Sequence, residues 1–244
     1  MGEHTIRELL RRRSPETQRA LKRRREIASG ERESHTPKII GVVVLVGIIA
    51  GVGYLFYVAG KIGERFSTSQ QTRHSATTLT LQTTSAFLPN TLLASLDVRF
   101  YSEGAGSSGI TRRLVQVYVP DVGPFDLRVM ATTLEWRHSK NDILEAYIND
   151  VPMGQANGHT LRGFGEAAQL YFDKPFDQLE PQDVALLVAL VSDPAGLDPR
   201  NAPDKALAAR NAVLDLDQQQ GILRQSQVAE FKLKPLGISP KAVL

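Results

Sequence analysis

From Ile39 to Gly60 the chain runs for 22 residues without a charged side chain, and no other feature restricts its fold so tightly. At about 1.5 Å of rise per residue a helix of this length reaches roughly 33 Å, against about 30 Å of bilayer hydrocarbon. The run therefore predicts a transmembrane helix over residues 39–60. The competing reading is a cleaved signal peptide, whose apolar region is about 7 to 15 residues long behind a short charged leader. Here the leader would be 38 residues.

Charge is uneven around this run. Residues 1–38 hold 11 Lys+Arg and 6 Asp+Glu, net +5, whereas the rest of the chain holds 18 against 20, net −2. Basic flanks stay in the cytoplasm, so 1–38 is expected to be a basic cytoplasmic segment. The chain after Lys61 is then expected in the periplasm, giving a single-pass protein of a bacterial inner membrane. Arg11 to Arg13 and Lys22 to Arg25 suit anionic lipid headgroups, each basic group adding on the order of 1 kcal/mol near the surface. No aromatic residues interleave them, which argues against nucleic acid. Ser14, Pro15 and Glu16 read as a helix start and Gly30 as its stop. Within the span, Gly47 and Gly51 form a small-xxx-small pair of the kind that lets two helices approach. The chain has no cysteine, which excludes thiol catalysis and thiolate metal sites.

Residues 61–85 are rich in Ser, Thr and Gln from Glu64 to Thr84 and read as a linker. A folded domain is expected over 86–244, and its pattern is mainly α. Ser139 and Asp142 make a capping-box-like start before the apolar face of Ile143, Leu144, Tyr147 and Ile148. Phe164, Ala167, Ala168, Tyr171 and Phe172 recur at helical spacing. Pro181 opens a helix whose Ala185–Val191 run is apolar all round and so buried. Pro203 opens another, with Gly221 as its C-terminal cap, and the last helix ends before Pro235. No convincing pair of alternating strands is visible.

These segments also carry a family pattern. Lys140, Ile143-Leu144-Glu145 and Tyr147-Ile148-Asn149 are similar to a K-x-x-I-L-E-x-Y-L-N motif, with Gly154 at the expected distance. Arg162-Gly163-Phe164, Ala167-Ala168, Tyr171-Phe172 and Lys174 resemble the next motif, and Leu179, Ala185-Leu186-Leu187, Pro194, Pro199, Ala206, Arg210 and Val213-Leu214 extend it. The chain thus resembles glycosyltransferase family 51, the peptidoglycan glycosyltransferase domain of class A penicillin-binding proteins. Gly154-Gln155 followed by Arg162-Gly163-Phe164 is especially similar to the penicillin-binding protein 1b branch. The resemblance covers roughly Leu88 to Gly237. It implies a mainly α, lysozyme-like domain, truncated in its first half, behind a single N-terminal transmembrane helix.

The first half departs from the family. Members open with E-D-x-x-F-x-x-H-x-G, whose first glutamate is read as the general base. The tract here is Leu96-Asp97-Val98-Arg99-Phe100-Tyr101-Ser102-Glu103-Gly104, with leucine in the base position. Leucine accepts no proton. The motif G-G-S-T-x-T-Q-Q-L-V-K-N is eroded to the tract Gly106–Val117, both glutamines becoming Arg112 and Arg113, and the spacer between the two motifs is shortened. Counting back from Ser139-Lys140 puts Leu127 at the second family glutamate and Pro124 at the lysine of R-K-x-x-E.

No residue is a firm catalytic candidate. Asp97 and Glu103 are the weak substitutes, and Glu135, two helical turns beyond Leu127, is displaced from the family position. The remnant cleft is expected to involve Asp97, Phe100, Ser108, Arg112, Arg113, Glu145, Asn149 and Arg162, with no metal site. Cofactors are expected to be none, with a divalent cation only if the domain is active. The resulting expectation is a membrane-anchored, catalytically inactive homologue acting as a scaffold or regulator in the cell envelope. Membrane lipid and envelope proteins are its expected partners, and lipid II or glycan strands its candidate ligands. The alternatives are an active enzyme polymerising lipid II and a structural subunit of a larger membrane assembly.

Overall fold

The computed structural model describes residues 35–72, 77–156 and 158–240, together with positions 16, 19, 20, 22 and 23. The helix start expected at Ser14 and Pro15 and the stop at Gly30 lie outside the described residues. Two compact units are present, Met1–Gly53 and Tyr54–Leu244.

The first helix, α1, is His35–Thr72. It contains the one described helix long and apolar enough to cross a membrane, Lys38–Gln71. In the first unit its apolar side chains, among them Ile39, Val43, Leu45 and Ile49, are open to the surroundings. Nothing lies within 4 Å of where a Cβ would sit at Gly47 or Gly51.

The second unit is a helical bundle. Its helices are α2 (Phe87–Leu96), α3 (Gly109–Tyr118), α4 (Pro124–Arg137), α5 (Lys140–Asp150), α6 (Gly163–Phe172), α7 (Pro181–Leu190), α8 (Pro203–Gln219) and α9 (Gln225–Leu233). The local signals act as expected. Ser139 caps α5 in a reciprocal box with Asp142, each side chain taking the other's backbone N–H. Pro181 and Pro203 occupy first-turn positions of α7 and α8. Just past α8, Gly221 takes φ +72°. Helix α7 is the axis of the unit: every residue from Gln182 to Leu190 is buried, because α8 packs along it and α2, α6 and α9 cover its other sides. Arg210, matched to the family only by sequence, is buried in α8 and donates to the Lys232, Lys234 and Pro235 carbonyls at the end of α9. Burial lowers its pKa.

Two segments differ from the sequence reading. A two-stranded antiparallel hairpin, β1 (Pro152–Ala156) and β2 (His159–Arg162), joins α5 to α6, with a register irregularity between Pro152 and Gly154. Strands this short, one interrupted by a bulge, show too little alternation to be seen in sequence. Residues 61–85, linker-like in composition, carry structure. Helix α1 runs on to Thr72 because Val58, Ile62 and Phe66, at four-residue spacing, bury one narrow stripe against the unit. Polar residues around that stripe hide it from a composition count.

Candidate functional site

The two positions that the family resemblance gives to acids lie at the end of α2 and near the start of α4. Leu96 closes α2 and Leu127 lies in the first turn of α4. Both side chains pack partly buried against the main core, so each holds apolar contacts where the resemblance implies a carboxylate.

The substitutes are engaged in structure. Asp97 ends α2, and its Oδ2 accepts from Ser108 Oγ at 2.8 Å and from the Ile110 N–H at 3.2 Å. Ser108 is fully buried and caps α3, accepting from the Thr111 N–H. The pair therefore fastens the α2 end to the α3 start, satisfying amide donors that a helix N-terminus leaves open. Glu103 pairs with exposed Arg99 at 3.1 Å, one turn apart at the surface, where such pairs contribute little. Glu135, on α4, is shielded to 2% exposure. It accepts from the Gly106 N–H at 2.9 Å and Thr111 Oγ1 at 2.5 Å. Lys140 Nζ lies 3.1 Å from the same carboxylate, off the line of a hydrogen bond, and 4.7 Å above the ring of buried Phe100. In sequence Glu135 stands only as an acid displaced from the family position, and Lys140 only as a motif match. The structure makes the two a brace between the Gly106 loop, α3 and α5.

Gly106 has φ +78°, and a Cβ there would meet Thr132 Oγ1 at 2.2 Å. That close approach brings the loop onto α4 and forms a small cleft of ≈ 360 Å³ lined by Gly106, Ser107, Arg112, Pro124 and Arg128. Arg112 of the expected cleft is there, joined by Arg128, which sequence reading missed. Arg113 is exposed and reaches the Tyr147 hydroxyl, whose pKa burial raises despite the nearby cation.

Glu145 and Asn149 serve a different purpose. Asn149 Oδ1 accepts from the Leu79 N–H at 2.8 Å, and its Nδ2 donates to the Leu79 and Glu145 carbonyls, both at 2.8 Å. Glu145 Oε2 accepts from the Leu81 N–H at 3.0 Å. An extended strap through Leu79 and Leu81 is thus laid along α5. It also presses on α6, where a Cβ at Gly165 would fall 1.8 Å from the Thr77 carbonyl oxygen. The Glu145 and Asn149 face of α5 is therefore covered by the chain itself. Arg162 lies apart, at the β2–α6 junction, its N–H donating to Glu166 at 2.8 Å. Its side chain is exposed. Among the described residues no group of three or more His, Asp or Glu side chains is placed to hold a metal ion.

Residues 103–218 match the family model described as Transglycosylase. The match begins beyond Leu96 and Asp97. Among curated proteins, the chain is 39% identical over 112 residues to penicillin-binding protein 1B of Escherichia coli, covering 46% of this chain and 13% of that protein. It is 35% identical over 113 residues to penicillin-binding protein 1B of Vibrio cholerae, 46% of this chain and 14% of that one. With penicillin-binding protein 1C of Escherichia coli it shares 33% over 141 residues, 56% of this chain and 18% of the other. The matched part is thus less than a fifth of each relative's length. Among solved structures, penicillin-binding protein 1A from Haemophilus influenzae aligns with a TM-score of 0.46 and 18% identity, covering 66% of this chain and 18% of that one.

Proposed function

We propose that this chain, whose residues 103–218 match the transglycosylase family model, is a member of that family that no longer polymerises glycan and acts in the cell envelope by binding. One observation carries this reading: the leucines that the resemblance sets at both acid positions pack partly buried against the core, while Asp97 and Glu135 are engaged in holding the fold and Glu103 is paired with Arg99 at the surface. A positioned general base contributes typically about 10²- to 10⁴-fold to rate. Loss of the base and of the second acid together leaves no residue to take the acceptor's proton or to assist the leaving group. The anchor helix fits a single-pass inner-membrane protein, with the folded unit on the periplasmic side by the charge rule.

What remains suits recognition. Arg112 and Arg128 beside the Gly106-Ser107 backbone make a cationic cleft, and guanidinium groups pair with phosphate oxygens in a forked geometry. Lipid II or its pyrophosphate is the ligand class that the family membership suggests for it. The deciding experiment measures both properties of the purified full chain in detergent or vesicles. The expected result is no glycan polymer from lipid II, with binding that weakens on Arg112→Ala or Arg128→Ala. Polymer formation that is abolished by Asp97→Asn or Glu103→Gln overturns the reading in favour of an active enzyme.

A further inference from the structure

A cavity of ≈ 800 Å³ opens between the strap, the start of α2, α6 and the turn that precedes α7. It lies away from the cationic cleft: Phe87 on its wall begins α2, and Leu96 ends that helix nine residues, about 13 Å, further on. The floor is apolar, with Leu88, Phe176 and Val184 buried and Phe87 half-buried beside them. The rim is polar. It is made by Thr83, Thr84 and Ser85 of the strap, Gln169 of α6 and Asp177 of the 3₁₀ turn Phe176–Gln178. Among the described residues that line the cavity, Asp177 is the one charged side chain. Thr83 Oγ1 is paired with Thr80 Oγ1 at 2.7 Å, and Ser85 Oγ accepts the Phe87 N–H at 3.3 Å. Thr84 Oγ1 and the Asp177 carboxylate have no such partner among the described residues.

We propose that this cavity is a second binding site, for a neutral pyranose oligosaccharide. Its chemistry eliminates the other ligand classes in turn. With no Lys, Arg or His on the wall and a carboxylate at the rim, a phosphate or carboxylate ligand meets repulsion and no counter-charge. An ammonium group gains little, because Asp177 is exposed and a solvated ion pair contributes little. An extended peptide cannot add to the strap as a strand: the Leu79 and Leu81 N–H groups are given to Asn149 and Glu145, and those of Thr83 and Thr84 to the Thr80 carbonyl. A lipid tail would cover the hydroxyl, amide and carboxylate groups of the rim with hydrocarbon and leave them unbonded, which is costly. A sugar ring satisfies both surfaces. Its C–H groups pack on Phe87, whose ring face is electron-rich. Its neighbouring hydroxyls donate to the two Asp177 oxygens in charge-assisted bonds, and Thr84 Oγ1 can both donate and accept. The volume lies within the ~300–1,000 Å³ of small-molecule sites. The strap wall is also set before any ligand arrives, pinned by Asn149 and Glu145 and laid close on Gly165, so binding has little left to order.

The probe is tri-N-acetylchitotriose, a neutral trisaccharide, titrated to its solubility limit into the full chain in a detergent without a sugar headgroup. Amide hydrogen exchange read by mass spectrometry is expected to slow in peptides covering 77–88 and 175–184 and to stay unchanged in 104–112 beside the cationic cleft. Asp177→Asn and Thr84→Val alter rim groups that hold no described contact, so the helical circular dichroism stays the same. They are expected to weaken sugar binding about tenfold and about threefold, with Arg112→Ala leaving it unaltered. No slowing in either segment overturns the proposal. Slowing confined to 104–112 also overturns it, because the sugar then sits in the cationic cleft. Protection of 77–88 by oligolysine and not by chitotriose overturns it as well, because Asp177 then recruits a cation. Protection by the sugar that is undiminished in both folded rim variants counts against Asp177 and Thr84 as its recognition groups and sinks the assignment. Each of these failures leaves the reading of the cationic cleft standing, since lipid II binding by Arg112→Ala tests that separately.

Discussion

Replacing Asn149 by alanine separates a structural role for the α5 polar residues from a catalytic one. Three bonds of 2.8 Å are lost, two to the Leu79 backbone and one to the Glu145 carbonyl. Each neutral bond contributes about 0.5–1.5 kcal/mol net. The Leu79 groups regain water once the strap lifts, so the cost falls on local closure and not on the whole fold. Summing the two strap bonds and part of the third gives about 2–3 kcal/mol off the closing free energy. At about 1.4 kcal/mol per factor of ten, protection falls roughly a hundredfold. Amide hydrogen exchange read by mass spectrometry on peptides spanning 77–85 is the assay, with α7 as internal control. Exchange is expected to accelerate in the strap and stay slow in α7, whose residues are buried throughout. Glu145→Gln keeps an acceptor for the Leu81 N–H and is expected to lose only the charge-assisted part, about 1 kcal/mol. Unchanged protection of 77–85 in Asn149→Ala refutes the strap, and equal acceleration in α7 refutes its local character.

Other consequences are open to measurement. Asp217 is fully buried on α8, accepts from Thr91 Oγ1 at 3.0 Å and leaves its second oxygen without a partner. Burial pushes its pKa up to about 6, against the Thr91 bond that lowers it. The folded state thus binds the proton more tightly than the unfolded one, and the stabilisation present below about pH 4 is lost as pH rises through about 6. A rise of that size corresponds to at most about 3 kcal/mol. Asp217→Asn is expected to flatten the pH dependence of thermal unfolding over this window and to be the more stable protein at about pH 7.5. Gly106→Ala places a Cβ at a left-handed position against Thr132 and is expected to cost about 1–2 kcal/mol from backbone alone. In a melting experiment Thr132→Ala added to it recovers the steric part and not the backbone part. Ser108→Ala removes the α3 cap and an Asp97 partner, with an expected loss of about 1–2 kcal/mol in denaturant unfolding.

The elements that announce themselves in sequence are those held by near neighbours. Ser139 reaches Asp142 three residues away, and Pro181, Pro203 and Gly221 act through their own backbone angles. The span is equally local, since 22 residues without charge already decide the medium they need. The strap, the brace and the hairpin are not legible there. Leu79 finds Asn149 across 70 positions, Gly106 finds Glu135 across 29, and Asp217 finds Thr91 across 126.

Sequence by itself therefore carried the family resemblance, the candidate membrane span and the helix starts, and it set Leu96 and Leu127 against the acids that the resemblance implies, because residue identity and short spacing carry that information. Only the tertiary structure decided what the surviving polar residues do. Asp97, Glu145 and Asn149 look in sequence like parts of a worn cleft, and Glu135 like an acid displaced from the family position. In the fold their oxygens accept from backbone and hydroxyl donors brought in from other elements. A carboxylate's role is set by what lies within about 3 Å of it, and for residues far apart in the chain that distance exists only after folding.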